Sequence, residues 1–317
     1  MGFLRFLEGI RLTFFNGFFS GVTYLGDEIV FIVLGLFLYW CVGKKEAYFM
    51  FAAGLLNALT NQTLKLVFRV PRPWVLDPDF TIVEQARAAA VGYSLPSGHT
   101  QNAVGVFGTL WLSFRNKTLR WICVVLMLII PFSRMYLGAH TPLDVATAFV
   151  LSLAAVAALY PFFKDDARAE KTTGAVLGVL GVLTAAYFVA VMLWQPPADI
   201  DPVNLDTARR QASDLLAVAV ALALSYMFDN RFTHFRTDGT ILTQAVKAVL
   251  GIGFTVLLKT LLKAPLNAAF GNAYLADGVR YFIIAFFATS VWPMAFPLIG
   301  RICGGKKDGE KTDGRGA

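Results

Sequence analysis

A basic residue, a histidine and an acidic residue follow one another within residues 133–144. Arg134 precedes His140 by six residues, and Asp144 follows that histidine by four. The stretch joins two apolar segments, where ionisable side chains are costly unless they work together. Pro142 suits the first turn of a new helix, on which Asp144 comes one turn after His140, within reach of the imidazole ring. That carboxylate would accept one ring N–H and leave the other nitrogen free to attack an electrophile, so we predict His140 as a nucleophile.

Two further clusters lie where an apolar segment ends or begins. The first, Lys-Leu-Val-Phe-Arg-Val-Pro-Arg-Pro at 65–73, contains Lys65 and Arg72; the second is Pro-Ser-Gly-His at 96–99. Successive membrane helices alternate in direction, so the three clusters are expected at the same end of a helical bundle. Lys65 and Arg72 then add two positive charges to that of Arg134.

The second cluster has the features of an anion site. A proline before a helix start leaves the amides of Ser97, Gly98 and His99 free to point at a ligand. The glycine allows close approach to the backbone. Combined with three basic side chains, these donors suit a phosphoryl group, whose oxygens gather charge as it is transferred.

The composition indicates a polytopic membrane protein. The 317 residues are 56% hydrophobic and 15% charged, which is too apolar for a soluble domain of this length. The net charge of +7 does not indicate nucleic-acid binding, because the bases sit in short clusters between apolar runs. Three widely separated cysteines predict neither a disulfide framework nor a metal site.

The apolar runs predict the fold class, an all-α transmembrane bundle of about nine spans. Each run is near the length that a bilayer requires. They cover residues 29–43, 46–66, 98–114, 119–138, 142–162, 174–194, 212–229, 240–262 and 279–300.

Four regions are expected along the chain. Residues 1–28 mix aromatic and charged side chains, which favours a retained N-terminal helix in the membrane interface over a signal peptide. The catalytic core is expected at 29–163 and additional transmembrane helices at 164–303. The polar, glycine-rich tail 304–317 is predicted to be disordered.

The distribution of Lys and Arg predicts the orientation in the membrane. These residues are concentrated near positions 44, 117, 168 and 234 and in the C-terminal tail. Because cytoplasmic loops carry the excess of Lys and Arg, the C-terminus is expected in the cytoplasm. The three clusters would then face the extracytoplasmic side, with the cell membrane as the expected location.

The three clusters, K-x6-RP, PSGH and SR-x5-H-x3-D, resemble the signature of the type 2 phosphatidic acid phosphatase (PAP2) superfamily. Every motif position is filled between residues 65 and 144. The resemblance implies a phosphohydrolase that uses neither metal nor cofactor and forms a phosphohistidine. It implies His140 as the nucleophile, Asp144 as its partner and His99 as the general acid. The residues implied in holding the phosphate are Lys65, Arg72, Ser97, Gly98 and Arg134.

The resemblance leaves the substrate open. The nine-span layout is similar to that of glucose-6-phosphatase, and the helices after the fifth span are similar to those of sphingosine-1-phosphate phosphatases. A phosphorylated lipid, as monophosphate or diphosphate, is the favoured substrate, because the clusters open at the bilayer surface. The alternative substrate is a soluble phosphate ester. The alternative function that is not enzymatic is that of a lipid carrier or transporter that retains the fold. No nucleic-acid partner is expected, and the sequence does not indicate an oligomeric state.

Overall fold

The computed structural model describes residues 1–87, 90–197 and 200–304. Within these ranges the secondary structure is helical, with no strand. The predicted all-helical membrane bundle is therefore confirmed. Apart from Gly304, the tail predicted as disordered at 304–317 lies outside the described residues.

The first nine helices are α1 Gly2–Gly9, α2 Thr13–Tyr24, α3 Glu28–Cys41, α4 Lys44–Phe68, α5 Pro73–Leu76, α6 Glu84–Arg87, α7 Gly98–Ser113, α8 Lys117–Tyr136 and α9 Pro142–Phe163. They are followed by α10 Asp166–Leu193, α11 Pro202–Phe228, α12 Ile241–Leu261, α13 Lys263–Phe270, α14 Ala273–Phe286 and α15 Phe296–Ile302. Several begin at a side chain that accepts a backbone N–H, as Asp27 does for α3, Asn116 for α8 and Thr141 for α9.

Each of the nine predicted apolar runs overlaps a helix, but nine membrane spans are not confirmed. In the described ranges, six helices are long and apolar enough to cross a membrane, or seven if the bent pair α2 and α3 is one span. Helix α7 has only 16 residues, fewer than the roughly 20 that a bilayer requires. Helix α4 carries buried Asn57 and Asn61 and packs in the middle of the bundle. A helix surrounded by protein does not need the uniformly apolar surface that lipid demands.

A layer of buried polar side chains joins α4, α7 and α9. Asn57 of α4 donates to Ser152 Oγ of α9 at 2.8 Å and to the carbonyl of Gln101 in α7 at 3.2 Å. One turn further along α4, Asn61 donates to Gln101 Oε1 at 2.6 Å and to the carbonyl of Pro96 at 3.1 Å. These bonds fix three helices relative to one another beside the second motif.

The C-terminal helices α10 and α11 pack against the other side of α4, and α14 packs against α11. At the end of the bundle opposite the motifs, Lys44 pairs with Asp229 at 2.5 Å and Lys45 with Asp166 at 2.8 Å. Three of the basic turns predicted to share one side, those near 44, 168 and 234, therefore meet at one end of the molecule.

The N-terminal segment, predicted as one interfacial helix, consists of the short helices α1 and α2 and covers the motif end of the bundle. Arg5 pairs with Asp77 at 2.7 Å, and Glu8 accepts from Thr81 Oγ1 at 2.6 Å. These contacts hold α1 against the loop that follows the first motif. The exposed residues of the segment include Phe3, Phe6, Ile10, Phe14 and Phe18.

Candidate active site

The third motif occupies the end of α8 and the tight loop before α9. The N–H groups of Ala139 and His140 both donate to the carbonyl of Arg134, at 2.9 and 3.2 Å. Gly138 has a φ of +83°, and a Cβ there would lie 2.9 Å from the ring of Phe80. Because the loop folds back in this way, His140 precedes α9, whereas the sequence had predicted it on the same helix as Asp144.

Both nitrogens of the buried His140 ring have partners. Nε2 lies 2.9 Å from Nη1 of Arg72, a group that only donates. Nδ1 lies 3.3 Å from Ser94 Oγ, and the Ser94 hydroxyl donates to Asp144 Oδ2 at 2.6 Å. We infer from this network that the ring proton is on Nδ1 and is donated to Ser94, so that Nε2 carries the lone pair.

Asp144 reaches the ring through Ser94, where the sequence had predicted a direct hydrogen bond. Its Oδ2 lies 3.6 Å from Nδ1 of His140, which is longer than a hydrogen bond. The same oxygen accepts from the N–H of Thr141 at 2.7 Å, as part of a capping box that begins α9. Ser94 was not predicted as a site residue, because its position just before the second motif is the only signal that the sequence offers.

The guanidinium of Arg72 holds the loop that carries Ser94. It donates to the carbonyls of Gly92 at 3.0 Å and Val91 at 2.7 Å, and also to that of Ala139 at 3.1 Å. Burial lowers the pKa of Arg72 to about 10, so the side chain remains charged at neutral pH. A fixed positive charge therefore lies beside Nε2 of His140.

The surroundings keep His140 neutral. Burial, followed by the positive charges of Arg72, Arg134 and Lys65, lowers the pKa of His140 well below its ordinary value. A neutral ring has a free lone pair at neutral pH, which is the state that a nucleophile requires.

Arg134 is fully buried and only partly hydrogen-bonded. Its Nη1 donates to Thr23 Oγ1 of α2 at 2.8 Å, whereas Nε and Nη2 have no partner among the described residues. Buried donors without an acceptor are costly and rare. They indicate a place for an anionic group.

Arg134 and His99 line the same cavity, of about 280 Å³. The turn between α2 and α3 forms one wall of it, and the segment around α6 forms another. Nε2 of His99 lies 3.9 Å from Oδ2 of Asp27. The described residues that line the cavity are Thr23, Tyr24, Asp27, Gln85, Ala86, His99 and Arg134.

The second motif begins α7, as predicted, but the amide of Ser97 is not free. It donates to the carbonyl of Asp144 at 3.2 Å and so ties the start of α7 to α9. Ser97 Oγ accepts from Thr100 Oγ1 at 3.0 Å. A Cβ built on Gly98 would meet only the Asn61 amide, at 4.0 Å, so packing does not require a glycine there. The space beside Gly98 is open to the close approach of a ligand.

Lys65 is the third of the basic residues predicted to hold the phosphate. It interacts electrostatically with Arg72, Arg134 and Asp144. It also lines a small second cavity between α4 and α11, together with Asn204. The three predicted basic residues thus share one electrostatic environment, with Arg72 and Arg134 more deeply buried than Lys65.

Family comparisons cover both halves of the chain. The PAP2 superfamily matches residues 46–168, and the transmembrane extension of PAP2 superfamily phosphatases matches residues 213–302. All three motifs lie in the first range, whereas Thr23 and Asp27 precede it.

Individual relatives are membrane-lipid phosphatases by name. Undecaprenyl-diphosphatase BcrC of Bacillus subtilis (strain 168) is 30% identical over 129 residues, which cover 39% of this chain and 64% of that protein. A probable sphingosine-1-phosphate phosphatase of Dictyostelium discoideum is 28% identical over 165 residues, covering 48% of this chain and 39% of that protein. Phosphatidylglycerophosphatase B of Bacillus subtilis (strain 168) is 30% identical over 162 residues, covering 45% of this chain and 73% of that protein.

The chain spans less than two thirds of the first two of these relatives. No solved structure shows a significant match to it. Since the family match contains every motif residue and the alignment with phosphatidylglycerophosphatase B extends over 73% of that protein, this chain belongs to the PAP2 superfamily.

Proposed function

We propose that this protein is an integral-membrane phosphatase that hydrolyses a lipid phosphate or diphosphate through a phosphohistidine, without a metal ion. The observation that carries the proposal is the position of Arg134. Its guanidinium has two buried N–H groups without a partner in the described ranges, and it lines a cavity with His99. The paired oxygens of a phosphoryl group match such donors.

In the first step, Nε2 of His140 attacks phosphorus. The bond from phosphorus to the leaving oxygen breaks, its electron pair goes to that oxygen, and His99 in its protonated form supplies the proton. Arg72 Nη1, which contacts Nε2 at 2.9 Å in the free protein, would turn to a phosphoryl oxygen. The Nδ1 proton stays on the ring, where Ser94 and Asp144 stabilise the charge that develops.

In the second step, water attacks the phosphohistidine. Neutral His99 accepts a proton from the water as its oxygen bonds to phosphorus, and the N–P bond breaks with its pair returning to Nε2. Phosphate leaves, and both histidines regain their starting protonation states. Arg72, Arg134 and Lys65 stabilise the phosphoryl charge in both steps, which is the role that a metal ion has in other phosphatases.

A lipid substrate is supported by the names of the relatives and by the position of the cavity. The three relatives described above are named for undecaprenyl diphosphate, sphingosine 1-phosphate and phosphatidylglycerophosphate. Tyr24 lines the cavity and is 60% exposed, at the end of the helix that displays Phe14 and Phe18. A headgroup can enter beside this apolar surface while its chains stay in the bilayer.

Phosphate release by the purified protein in detergent tests the proposal. The substrates are phosphatidate, phosphatidylglycerol phosphate, a prenyl diphosphate, sphingosine phosphate and glucose 6-phosphate, each with and without EDTA. We expect at least one lipid to be cleaved faster than glucose 6-phosphate, with the rate unchanged by EDTA and inhibited by vanadate. Faster cleavage of glucose 6-phosphate would favour a soluble substrate. No release from any substrate would favour a carrier, and a strict Mg²⁺ requirement would overturn the mechanism.

A further inference from the structure

The cavity beside His99 contains a carboxylate that the motifs do not include. Asp27 is the only acidic residue among the described residues lining it, and its Oδ2 lies 3.9 Å from Nε2 of His99. Its other oxygen, Oδ1, accepts from the N–H of Ile29 at 3.1 Å and so begins α3. Asp27 lies before the family match at 46–168.

The turn that carries Asp27 is packed closely against the catalytic helices. A Cβ on Gly26 would lie 2.7 Å from Ile130 Cγ2 and 3.0 Å from the carbonyl oxygen of His99, so only glycine fits there. Four residues before Asp27, the Thr23 hydroxyl accepts from Arg134. The turn is thereby held at a set distance from both the general acid and the phosphate site.

His99 is surrounded mainly by positive charge. The charged and titratable groups that face it are Arg134 of α8, Lys65 of α4, Arg72 and His140 of the connecting loops, Tyr24 of α2, and Asp27. Burial and these cations lower the pKa of His99 well below its ordinary value, yet a general acid must carry a proton before the leaving group departs. Among the described residues lining the cavity, Asp27 alone has a negative charge that favours this proton.

We propose that Asp27 is a positioning residue whose negative charge favours the protonated form of His99 as the leaving group departs, so that the N-terminal segment completes the active site. This inference rests on the proposed phosphatase function. At 3.9 Å the pair is too long for a hydrogen bond, so the Nε2 proton remains available. That proton passes to the leaving oxygen as its bond to phosphorus breaks.

The variants Asp27→Asn and Asp27→Ser test this role, because both residues still begin a helix but carry no charge. Turnover of a lipid phosphate, which has a poor leaving group, should fall roughly tenfold or more, up to the roughly 10²–10⁴-fold that a general acid supplies. Turnover of p-nitrophenyl phosphate, whose leaving group needs no proton, should stay near wild type. KM should change little, and the pH above which activity with the lipid declines should be lower than in wild type.

Glu28→Gln is the matched control, since it removes the adjacent carboxylate, which does not line the cavity, and it should leave both rates near wild type. Equal losses with both substrates, or no loss with either, would overturn the role of Asp27. Phosphate release by the wild-type protein, measured in parallel, would in that case still support the phosphatase function. A wild-type protein that releases no phosphate from either substrate would overturn the proposed function and this inference with it.

Discussion

The two nitrogens of His140 have different neighbours, and the proposed mechanism assigns them different roles for this reason. Nδ1 faces the Ser94 hydroxyl, itself bonded to Asp144, whereas Nε2 faces a guanidinium that cannot accept a proton. In the proposed mechanism Nε2 therefore bonds to phosphorus. His99 lies instead beside a carboxylate and suits proton transfer.

Replacing each histidine by alanine should have different consequences. His140→Ala should abolish turnover and any acid-labile phosphoenzyme, because the second histidine of the site is committed to proton transfer. His99→Ala should lower kcat by about 10²–10⁴-fold yet still allow phosphoenzyme formation from an activated substrate. Radiolabel retained after rapid quenching measures both. Wild-type turnover by the His140 variant would contradict the assignment.

Ser94→Ala should lower kcat while leaving KM nearly unchanged. The hydroxyl joins Nδ1 of His140 to Asp144, and a hydrogen bond to a charged group is worth about 1.5–3 kcal/mol. We therefore expect a loss of roughly ten- to hundredfold in kcat. Steady-state kinetics measures it, with Thr63→Ala as a control on the exposed side of α4. An unchanged kcat would show that Asp144 orients the ring without Ser94.

At the scale of elements, the polar layer between α4, α7 and α9 holds the motifs in register. Three helices that were joined only by apolar contacts could slide or rotate with little loss of packing free energy. The hydrogen bonds of the buried Asn57 and Asn61 amides instead specify a single arrangement. Asn61 also holds the carbonyl of Pro96, immediately before Ser97. The position of the second motif therefore depends on α4.

Asn61→Ala should weaken both stability and activity. The carbonyl of Pro96 would lose its donor in a buried place, which costs about 1–3 kcal/mol of the free energy of unfolding. Thermal unfolding in detergent and phosphate release measure the two effects. Thr63→Ala should change neither, because Thr63 bonds only within its own helix in the described structure. A stable, fully active Asn61 variant would show that the layer does not position the site.

At the scale of the whole molecule, the site and the basic turns lie at opposite ends of the bundle. We propose that the site end is extracytoplasmic and the other end cytoplasmic, because Lys and Arg are concentrated in the turns around Lys44 and Lys117. The division into an interfacial segment at 1–28, a core at 29–163 and further helices at 164–303 stays a prediction.

Single cysteines test the orientation in intact cells. In a background lacking Cys41, Cys123 and Cys303, a cysteine replacing exposed Asp79 should react with a membrane-impermeant thiol reagent. One replacing exposed Lys117 should react only after lysis. The reverse pattern would invert the topology, and with it the pool of substrate, while leaving the chemistry unchanged.

The sequence by itself determined the fold class and the fact that the three motifs lie at the same end of the bundle. Apolar runs near the length of a bilayer are a local property of the chain, so they predict helices without knowledge of tertiary contacts. The alternation of those helices then brings the motifs of Lys65, His99 and His140 to one end. Arg72 and Arg134 are buried, and their role in binding phosphate stays a prediction.

Only the tertiary structure decided which groups touch the reacting residues. Ser94 and Asp144 are 50 residues apart, and Thr23 and Arg134 are 111 apart. No periodicity or spacing reports contacts between such distant segments, because they depend on how the helices pack. The same packing gives the amide of Ser97 a hydrogen-bond acceptor and places the turn before α3 against the site. It also surrounds α4, which therefore has polar residues in the centre of the bundle. Nine spans are therefore not confirmed, and six helices, or seven with the bent pair, qualify as spans in the described structure.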